Sequence, residues 1–579
     1  MARIISLLTF RLSKLMPSSL SDSPTEPGRT GGTPLPEAQE GSAAFWKARE
    51  NWLGLALTLC IVGLHVLRAL HAGGLWRDET ATANLADHFS FARALKSSQH
   101  EIFPVLLPLT AHAYSGLMGT SDQAMRGLGM IIGVAAVAAL WFSMFTVRRT
   151  APLLSLALLG LNPAFLQWGD SLRGYGLGIF FLLLTTGLVW RMLERPNALR
   201  FSLAALAAVA AVQALFNNSV FVLVICAAAS VVALRNRQIK LGGAALLIGM
   251  PAALSLLPYA HFVAARETWD IVVKVPFTVA DFRARLGDAL AQSGWGDVWA
   301  AGLMLAGACV LAIRAQFRKA DPAVRPHRDL LLFCSVALCA GPLLYFVFLN
   351  DASYPTQAWY YLPLMALTAL LLDLIAASCF QAGWRRLARP CLAVLLAAVG
   401  LLPAWKQAHV RQTNLDLVAA ELNHTAHKQD LIVVSPWYLG ITFQRYYSGA
   451  APWVTIPPMS DHSLHRYDLV KENMLLPNQD QPVQPVLKSI ADTLKTGGRV
   501  WTVGEVPIPS PHEHIPSLSP APDPKWKWSD RMYTLIWSEK VGANLGRHAG
   551  QSENVSLGHA GPVNPFEEAQ LVRYEGWRE

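Results

Sequence analysis

Long apolar segments alternate with short polar loops along most of this chain, from Asn51 to about Lys406. Each segment approaches the ~20 residues that an α-helix needs to cross a bilayer. Eleven membrane spans are therefore predicted, at about 52–70, 124–147, 150–168, 174–191, 200–216, 219–234, 241–262, 297–314, 329–349, 358–379 and 390–406.

The composition agrees with this pattern. Of 579 residues, 53% are hydrophobic and 15% are charged, whereas about 25% of residues are charged in soluble domains. The chain is therefore predicted to be a polytopic α-helical membrane protein.

Lys and Arg concentrate in alternate loops, and such loops face the cytoplasm. The basic loops lie around Arg148, Arg195, Arg237, Lys319 and Arg386. The orientation predicted for a plasma (inner) membrane therefore has a cytoplasmic N-terminus and exports everything after Lys406. The net charge of +9 is spread over these loops, which indicates contact with a lipid bilayer and gives no indication of a nucleic-acid partner.

The chain divides into three predicted regions. Residues 1–50 are rich in Ser, Pro, Gly and Glu and are predicted to form a disordered cytoplasmic tail. Residues 51–406 form the membrane domain, and 407–579 form an extracytoplasmic α/β domain. In that domain, DLIVVSP and RVWTVG predict strands of a small parallel sheet, and QPVLKSIADTLKTGG predicts a helix. The tail from about Gly542 to Pro565 is predicted to be loosely ordered.

The first exported loop, 72–123, is too apolar for a plain linker. Thr80–Lys96 places its apolar residues on one helical face, which predicts an interfacial helix. Phe103–Gly119 is apolar but short and is interrupted by two prolines, so it predicts a second juxtamembrane helix.

Acidic residues at the membrane face are the first candidates for chemistry. Asp78 and Glu79 follow the first span within LWRDET, and ionisable residues at such positions are usually functional. A solvated loop end is the alternative. His100 and Glu101 precede Pro104 and either line an acceptor cavity or form a solvated turn before a helix.

These residues and their order resemble the GT-C fold glycosyltransferases that use polyprenyl-phosphate sugars. That group includes protein O-mannosyltransferases and the lipid A aminoarabinose and galacturonic acid transferases. The motifs that carry the resemblance are LWRDETATANLA, EIFPVLLPLTAHAYSGLMGTSDQAMRGLG and LNPAFLQWGDSLRGYGLGIF, all within residues 70 to 190.

The resemblance implies an inverting glycosyltransferase that moves a sugar from a polyprenyl-phosphate donor to a hydroxyl of a glycolipid, polysaccharide or protein. Asp78 would be the general base, and Glu79 would shape its charge or orient the acceptor. Arg173 would stabilise the leaving phosphate, or else anchor a helix end at the interface. The family's second acidic residue falls at Ser171, so Asp170 either replaces it as a catalytic group or is a loop residue.

Further substrate-binding candidates are Tyr175, Arg126 and Arg266, in addition to His100, Glu101 and Arg173. Arg126 matches a family arginine and is either catalytic or structural, paired with an acidic residue such as Asp122. Arg266 lies in a long exported loop that is predicted to cover the cavity.

No cofactor is expected, although carboxylates at one face leave a divalent metal ion possible. All seven cysteines lie within or at the ends of predicted spans, in neither a disulfide nor a zinc-ligand pattern. A lipid or glycan transporter or flippase remains an alternative function, although the inverted repeats of such proteins are not evident. A non-catalytic scaffold is a further alternative. The sequence does not identify the sugar or the acceptor.

Overall fold

The computed structural model describes residues 37–87, 89–101, 103–260, 277–291, 302, 304, 307, 325–353, 356–380, 383–510, 512–558 and 561–579. The chain divides into two compact units, Met1–Ala48 and Arg49–Glu579. All contacts discussed below lie within the second unit. Arg266 and nearly all of the span predicted at 297–314 lie outside the described residues.

Helices make up nearly all of the described residues before Val410. In chain order they are α1 (Glu37–His71), α2 (Arg77–Asp87), α3 (Phe91–Glu101), α4 (Leu106–Met118), α5 (Asp122–Arg148), α6 (Pro163–Gly169), α7 (Gly174–Glu194), α8 (Ala198–Ala214), α9 (Asn218–Arg235), α10 (Ile239–Ser255), α11 (Val279–Ala291), α12 (Arg325–Ala352), α13 (Leu362–Cys379) and α14 (Ala388–Ala408).

Eight helices of the described residues are long and apolar enough to cross a membrane: α1, α5, α7, α9, α10, α12, α13 and α14. Helix α8 is apolar but shorter. The predicted class, a multi-pass helical membrane protein, is confirmed, whereas the predicted number of eleven spans is not. Helix α1 also corrects the boundary of the disordered tail, because it begins at Glu37, within the region predicted to lack structure.

The span predicted at 150–168 is wrong as a single helix. A helical turn at Leu153–Ser155 leads into a π-helix at Leu156–Gly160, and α6 then starts after Asn162. The Asn162 side chain accepts a hydrogen bond from Phe165 N, and Pro163 occupies the first turn of α6. The segment is almost wholly buried, and irregular backbone within a membrane protein is tolerated where protein surrounds it.

The loop 72–123, which is predicted to be exported, contains three helices in its described residues. The single helix predicted at Thr80–Lys96 is two helices, α2 and α3, while the second predicted helix corresponds to α4. Helix α2 buries Ala81, Ala83, Leu85 and Ala86. These buried residues fix the start of α2, where Asp78 lies, against the rest of the protein.

The C-terminal domain is a sheet between helices. Its elements are α15 (Leu415–Thr425), β1 (Leu431–Ser435), α16 (Leu439–Tyr446), β2 (Trp453–Thr455), α17 (Tyr467–Met474), α18 (Gln484–Lys495), β3 (Val500–Gly504), α19 (Asp530–His548), β4 (Ala549–Asn554) and β5 (Leu571–Trp577). Leu431 and Val433 pack towards α18 and α19, whereas Ile432 and Val434 pack towards α15 and α16, as the two-residue period of a strand requires.

The strand order within the described residues is β2-β1-β3-β5-β4. β1 pairs in parallel with β3, as predicted, and also with β2, which was not predicted from the sequence. β5 is antiparallel to β3 and β4, so the sheet is mixed. The prediction of a loosely ordered tail is wrong for Gly542–Asn554, which form the end of α19 and all of β4.

Candidate active site

Asp78 lies in the first turn of α2 and is surrounded by cations. Its Oδ1 is 3.3 Å from His465 Nε2 and 3.5 Å from Arg77 Nε, and its Oδ2 is 3.5 Å from Arg173 Nε. Burial acts to raise the pKa of this carboxyl, but Arg173, His465 and Arg77 outweigh it and hold the pKa well below its usual range. Asp78 is therefore ionised at neutral pH, and 18% of its side chain stays exposed.

Glu101, the last residue of α3, and Arg173, which immediately precedes α7, belong to the same cluster. Arg173 Nη1 donates to Glu101 Oε2 at 3.0 Å, and the guanidinium lies 4.5 Å from the centre of the Phe103 ring. The pKa of Glu101 is lowered although burial opposes this, because His465 and Arg173 stabilise the anion. Asp78, Glu101 and Arg173, predicted from separate parts of the sequence, are thus brought together.

His465 completes this cluster from the C-terminal domain. Its Nδ1 lies 2.8 Å from Glu101 Oε1, which also accepts from the His465 backbone N–H at 3.0 Å. Burial acts to lower the pKa of the imidazole, but Glu101 and Asp78 outweigh it and raise the pKa to about 9. His465 was not predicted from the sequence, because nothing in its local sequence distinguishes it from the other histidines among the 16 in the chain.

Glu79, the neighbour of Asp78, points into a different environment. It is fully buried, and its Oε1 accepts from Arg126 Nη1 at 2.6 Å and from Leu172 N at 3.3 Å. The expectation that Glu79 orients an acceptor is not met by this placement. Arg126 pairs with Glu79 and not with Asp122, which binds Arg445 at 2.7 Å.

Asp170 does not join Asp78 either. Its carboxylate lies 2.7 Å from Nδ1 of His65 on α1, and both side chains are buried. Because Asp170 fixes the loop that carries Arg173 to α1, its position favours the structural alternative over a catalytic role.

Tyr175 and His100 lie at the edges of the cluster. The Tyr175 ring is buried and stacks on Tyr360, with ring centres 6.1 Å apart. His100 Nδ1 is 3.8 Å from Asp468 Oδ1, and burial lowers the pKa of His100. Both therefore contact protein groups near the site, and their predicted role in binding substrate stays a prediction.

Arg77 and Glu567 are further residues that the sequence analysis missed. Glu567 accepts from Arg77 N at 3.0 Å and from Thr442 Oγ1 at 2.7 Å. Burial raises the pKa of Glu567 to about 7, against the opposing effect of Arg77. The Arg77 guanidinium lies 4.3 Å from the centre of the Tyr438 ring. The C-terminal domain therefore holds both the backbone and the side chain of Arg77, the residue before Asp78.

An open cavity of about 1060 Å³ has Phe566 in its wall. Its walls come from α6, α11, α14, the segment before α13 and residues 562–566, and include Trp168, Trp359, Lys406 and Phe566. Arg77 Nη1 donates to Phe566 O at 3.2 Å, which connects the cavity wall to the cluster. Asp78, Glu101, Arg173 and His465 do not line it.

A metal site is not evident in the part of the chain that the structure describes, where no three His, Cys, Asp or Glu side chains are grouped to hold an ion. The carboxylates of the cluster face cations instead. Absence of a cofactor stays a prediction.

No protein-family model and no curated protein matches the chain. Solved structures with similar folds include ArnT from Cupriavidus metallidurans bound to undecaprenyl phosphate, with 14% identity, a TM-score of 0.43 and coverage of 78% of this chain and 92% of that one. ArnT in the apo state gives 14% identity, a TM-score of 0.43 and coverage of 81% and 93%. The oligosaccharyltransferase of Archaeoglobus fulgidus, in complex with Zn and sulfate, gives 12% identity, a TM-score of 0.40 and coverage of 78% and 67%.

Proposed function

We propose that this protein is a membrane glycosyltransferase that moves a sugar from a polyprenyl-phosphate donor to a hydroxyl group of a glycolipid, polysaccharide or protein. The observation that carries the proposal is Asp78, an ionised and partly exposed carboxylate within 3.5 Å of Arg173. An ionised carboxylate beside a cation combines the proton acceptor and the anion stabiliser that such a transfer needs. The motif resemblance in residues 70 to 190 supplies the donor class.

In the proposed reaction, an acceptor hydroxyl attacks the anomeric carbon and Asp78 takes the hydroxyl proton. A bond forms between the acceptor oxygen and the anomeric carbon, and the bond from that carbon to the phosphate oxygen breaks. The electron pair leaves with the polyprenyl phosphate. Because the displacement is direct, the anomeric configuration inverts.

Arg173 is the cation that we assign to the donor phosphate. Its guanidinium is held from two sides by Asp78 and Glu101, which raise its pKa despite burial and keep it charged. A cation that is already in place stabilises negative charge on the leaving phosphate without reorganisation.

Donor binding would also make Asp78 a better base. With its present partners the pKa of Asp78 is strongly lowered, and a weakly basic carboxylate removes a proton poorly. If Arg173 turns from Asp78 to the donor phosphate, Asp78 loses the strongest of these opposing charges and its pKa rises. Asp78 would then gain basicity when the donor is present.

The transfer itself is tested with purified protein and a panel of polyprenyl-phosphate sugars. We expect release of polyprenyl phosphate and sugar on an acceptor, both dependent on Asp78. If no donor of the panel is consumed by folded protein, the proposal is wrong.

The orientation is part of the proposal, because the Lys and Arg pattern places the C-terminal domain outside the cytoplasm. A reporter enzyme that is active only outside the cytoplasm should be active when fused after Glu579. The same reporter fused after Arg237 should be silent. The reverse result would put the Asp78 cluster on the cytoplasmic side.

A further inference from the structure

The segment that carries His465 is docked on the loop helices at several points. Asn84 of α2 donates to Ser463 O at 2.9 Å. Leu464 is buried against Ala81 and Leu85 of the same helix. His465 N donates to Glu101. Polar and apolar contacts thus fix the position of the His465 backbone.

The His465 ring has an acceptor at each nitrogen. Nδ1 is 2.8 Å from Glu101 Oε1, and Nε2 is 3.3 Å from Asp78 Oδ1. A neutral imidazole carries one N–H and one lone pair, so it can donate to one of these carboxylates but not to both. Only a ring that is protonated at both nitrogens can donate to both carboxylates.

Charged groups reach the neighbourhood of His465 from every element that packs near it. Helix α2 contributes Arg77 and Asp78, helix α3 contributes His100 and Glu101, and the loop before α7 contributes Arg173. The segment of His465 itself contributes Asp461 and Arg466. Helix α17 contributes Asp468 and Tyr467, whose ring stacks on His465 with ring centres 6.2 Å apart. Arg466 pairs with Asp461 at 2.5 Å and with Asp468 at 2.7 Å. The carboxylates in contact with the ring are those of Asp78 and Glu101.

We propose that His465 is a positioning residue of the transfer site: its doubly protonated ring holds the Asp78 carboxylate in place beside Arg173 and so makes the reaction depend on the docked C-terminal domain. This inference rests on the proposed function. Glu101 is held at 2.8 to 3.0 Å, whereas the contacts of Asp78 with cations are 3.3 to 3.5 Å long. Asp78 is therefore the carboxylate that the ring releases more easily.

When the His465 ring loses its second proton, we expect the contact with Asp78 to break before the contact with Glu101. A neutral ring that keeps Nδ1–H on Glu101 turns the lone pair of Nε2 towards Asp78, and two acceptors repel each other. Asp78 then moves away from its position beside Arg173. Turnover should therefore fall as the pH rises through about 9, the pKa of His465.

The test is the pH dependence of kcat/KM for the full-length wild type, His465→Gln and His462→Gln. His462 is the matched control, because it lies in the same segment and its ring contacts that of Trp453, outside the cluster, with ring centres 4.6 Å apart. We expect an alkaline fall near pH 9 in the wild type and in His462→Gln. His465→Gln should lose about 10- to 100-fold, the value of a charge-assisted hydrogen bond, and should lack the alkaline fall.

The outcomes separate the two proposals. If the wild type transfers sugar but shows no alkaline fall between pH 8 and 10, the role of His465 is wrong and the proposed function stands; this measurement needs no variant. A His465→Gln enzyme that is slower but keeps the wild-type alkaline fall would show a role in folding alone and would also overturn the inference. If the wild type consumes no donor, both proposals fall.

NMR of ring-labelled histidine gives a readout that does not depend on activity. A resonance that titrates near pH 9 should be present in the wild type and in His462→Gln and absent from His465→Gln. In Asp78→Asn it should titrate at lower pH, because one of the two anions that raise the pKa of His465 is gone. Absence of such a resonance from the wild type would overturn the inference.

Discussion

Asp78 and Glu79 are adjacent in sequence, yet they belong to two very different ion clusters. Glu79 is fully buried; its Oε1 accepts from Arg126 at 2.6 Å and from Leu172 N, and its Oε2 accepts from Trp76 N. Asp78 is 18% exposed and meets its cations at 3.3 Å or more.

The difference between these clusters lies in what remains available to a ligand. The buried Glu79–Arg126 pair holds backbone segments together, and the Glu79 carboxylate is not accessible to a ligand. A partly exposed carboxylate with several long contacts keeps both a proton acceptor and cations within reach of a substrate. The exposed fraction of each carboxylate and the lengths of its hydrogen bonds therefore distinguish the proposed catalytic cluster from the structural one.

Asp78→Asn should give the largest effect on activity. The amide keeps the shape of the side chain but removes the basic oxygen, so turnover should fall by about 10²- to 10⁴-fold. Sugar transfer by purified variant and wild type measures this, with thermal unfolding as a check that the fold is retained. Transfer at the wild-type rate would show that Asp78 is not the base.

Glu79→Gln should mainly lower stability, whereas Asp78→Asn should mainly lower activity. Removing the charge leaves the buried Arg126 guanidinium without its anionic partner, which should cost about 3–5 kcal/mol of unfolding free energy. Chemical denaturation in detergent measures the loss. The double variant Glu79→Gln with Arg126→Met should recover part of it, and a stable, inactive Glu79→Gln protein would remove the proposed distinction between the clusters.

Glu567 allows a pH test of the C-terminal side of the Asp78 cluster. Its pKa is raised from 4.5 to about 7 in the folded state, so the folded protein binds the proton more tightly than the unfolded chain. The contribution of Glu567 to stability is then fully present below pH 4.5 and is lost as the pH rises from 4.5 through about 7, by on the order of 3 kcal/mol. Glu567→Gln should remove this contribution, and unfolding midpoints of both proteins at pH 5 and pH 8 compare the two slopes.

Arg173→Ala should weaken both donor binding and turnover by about 10- to 100-fold, because the lipid phosphate is charged before and during the reaction. Binding of undecaprenyl phosphate to purified protein provides the measurement. Arg445→Ala is the matched control, since Arg445 is also paired with a carboxylate but belongs to the Asp122 contact. Unchanged binding in Arg173→Ala would place the phosphate elsewhere.

Chelation should have the smallest effect. Asp78 is proposed to act as a base and to be neutralised by arginine and histidine, so transfer should continue in EDTA. A loss of activity that Mg²⁺ or Mn²⁺ restores would assign a metal-binding role to the carboxylates.

Some features of this protein follow from its sequence alone. The membrane helices are predictable because a bilayer demands long apolar segments whatever the tertiary packing. β1 and β3 are predictable for a similar reason, since a short apolar run flanked by polar residues forms a buried strand. Asp78 and Arg173 could be selected because their motifs lie next to membrane spans, and Glu101 could be selected because it precedes Pro104 in a stretch that resembles the glycosyltransferase motifs.

The tertiary structure decided what the sequence left open. The sequence presents Asp78 and Glu79 as an equal pair, but the two side chains leave the first turn of α2 in different directions, one towards His465 and the other towards Arg126. His465 is separated from Asp78 by most of the chain, so no local pattern relates them. Contacts between residues so distant in sequence depend on how the C-terminal domain packs on the loop helices, and it is this packing that turns a pair of acidic residues into one candidate catalytic group and one structural group.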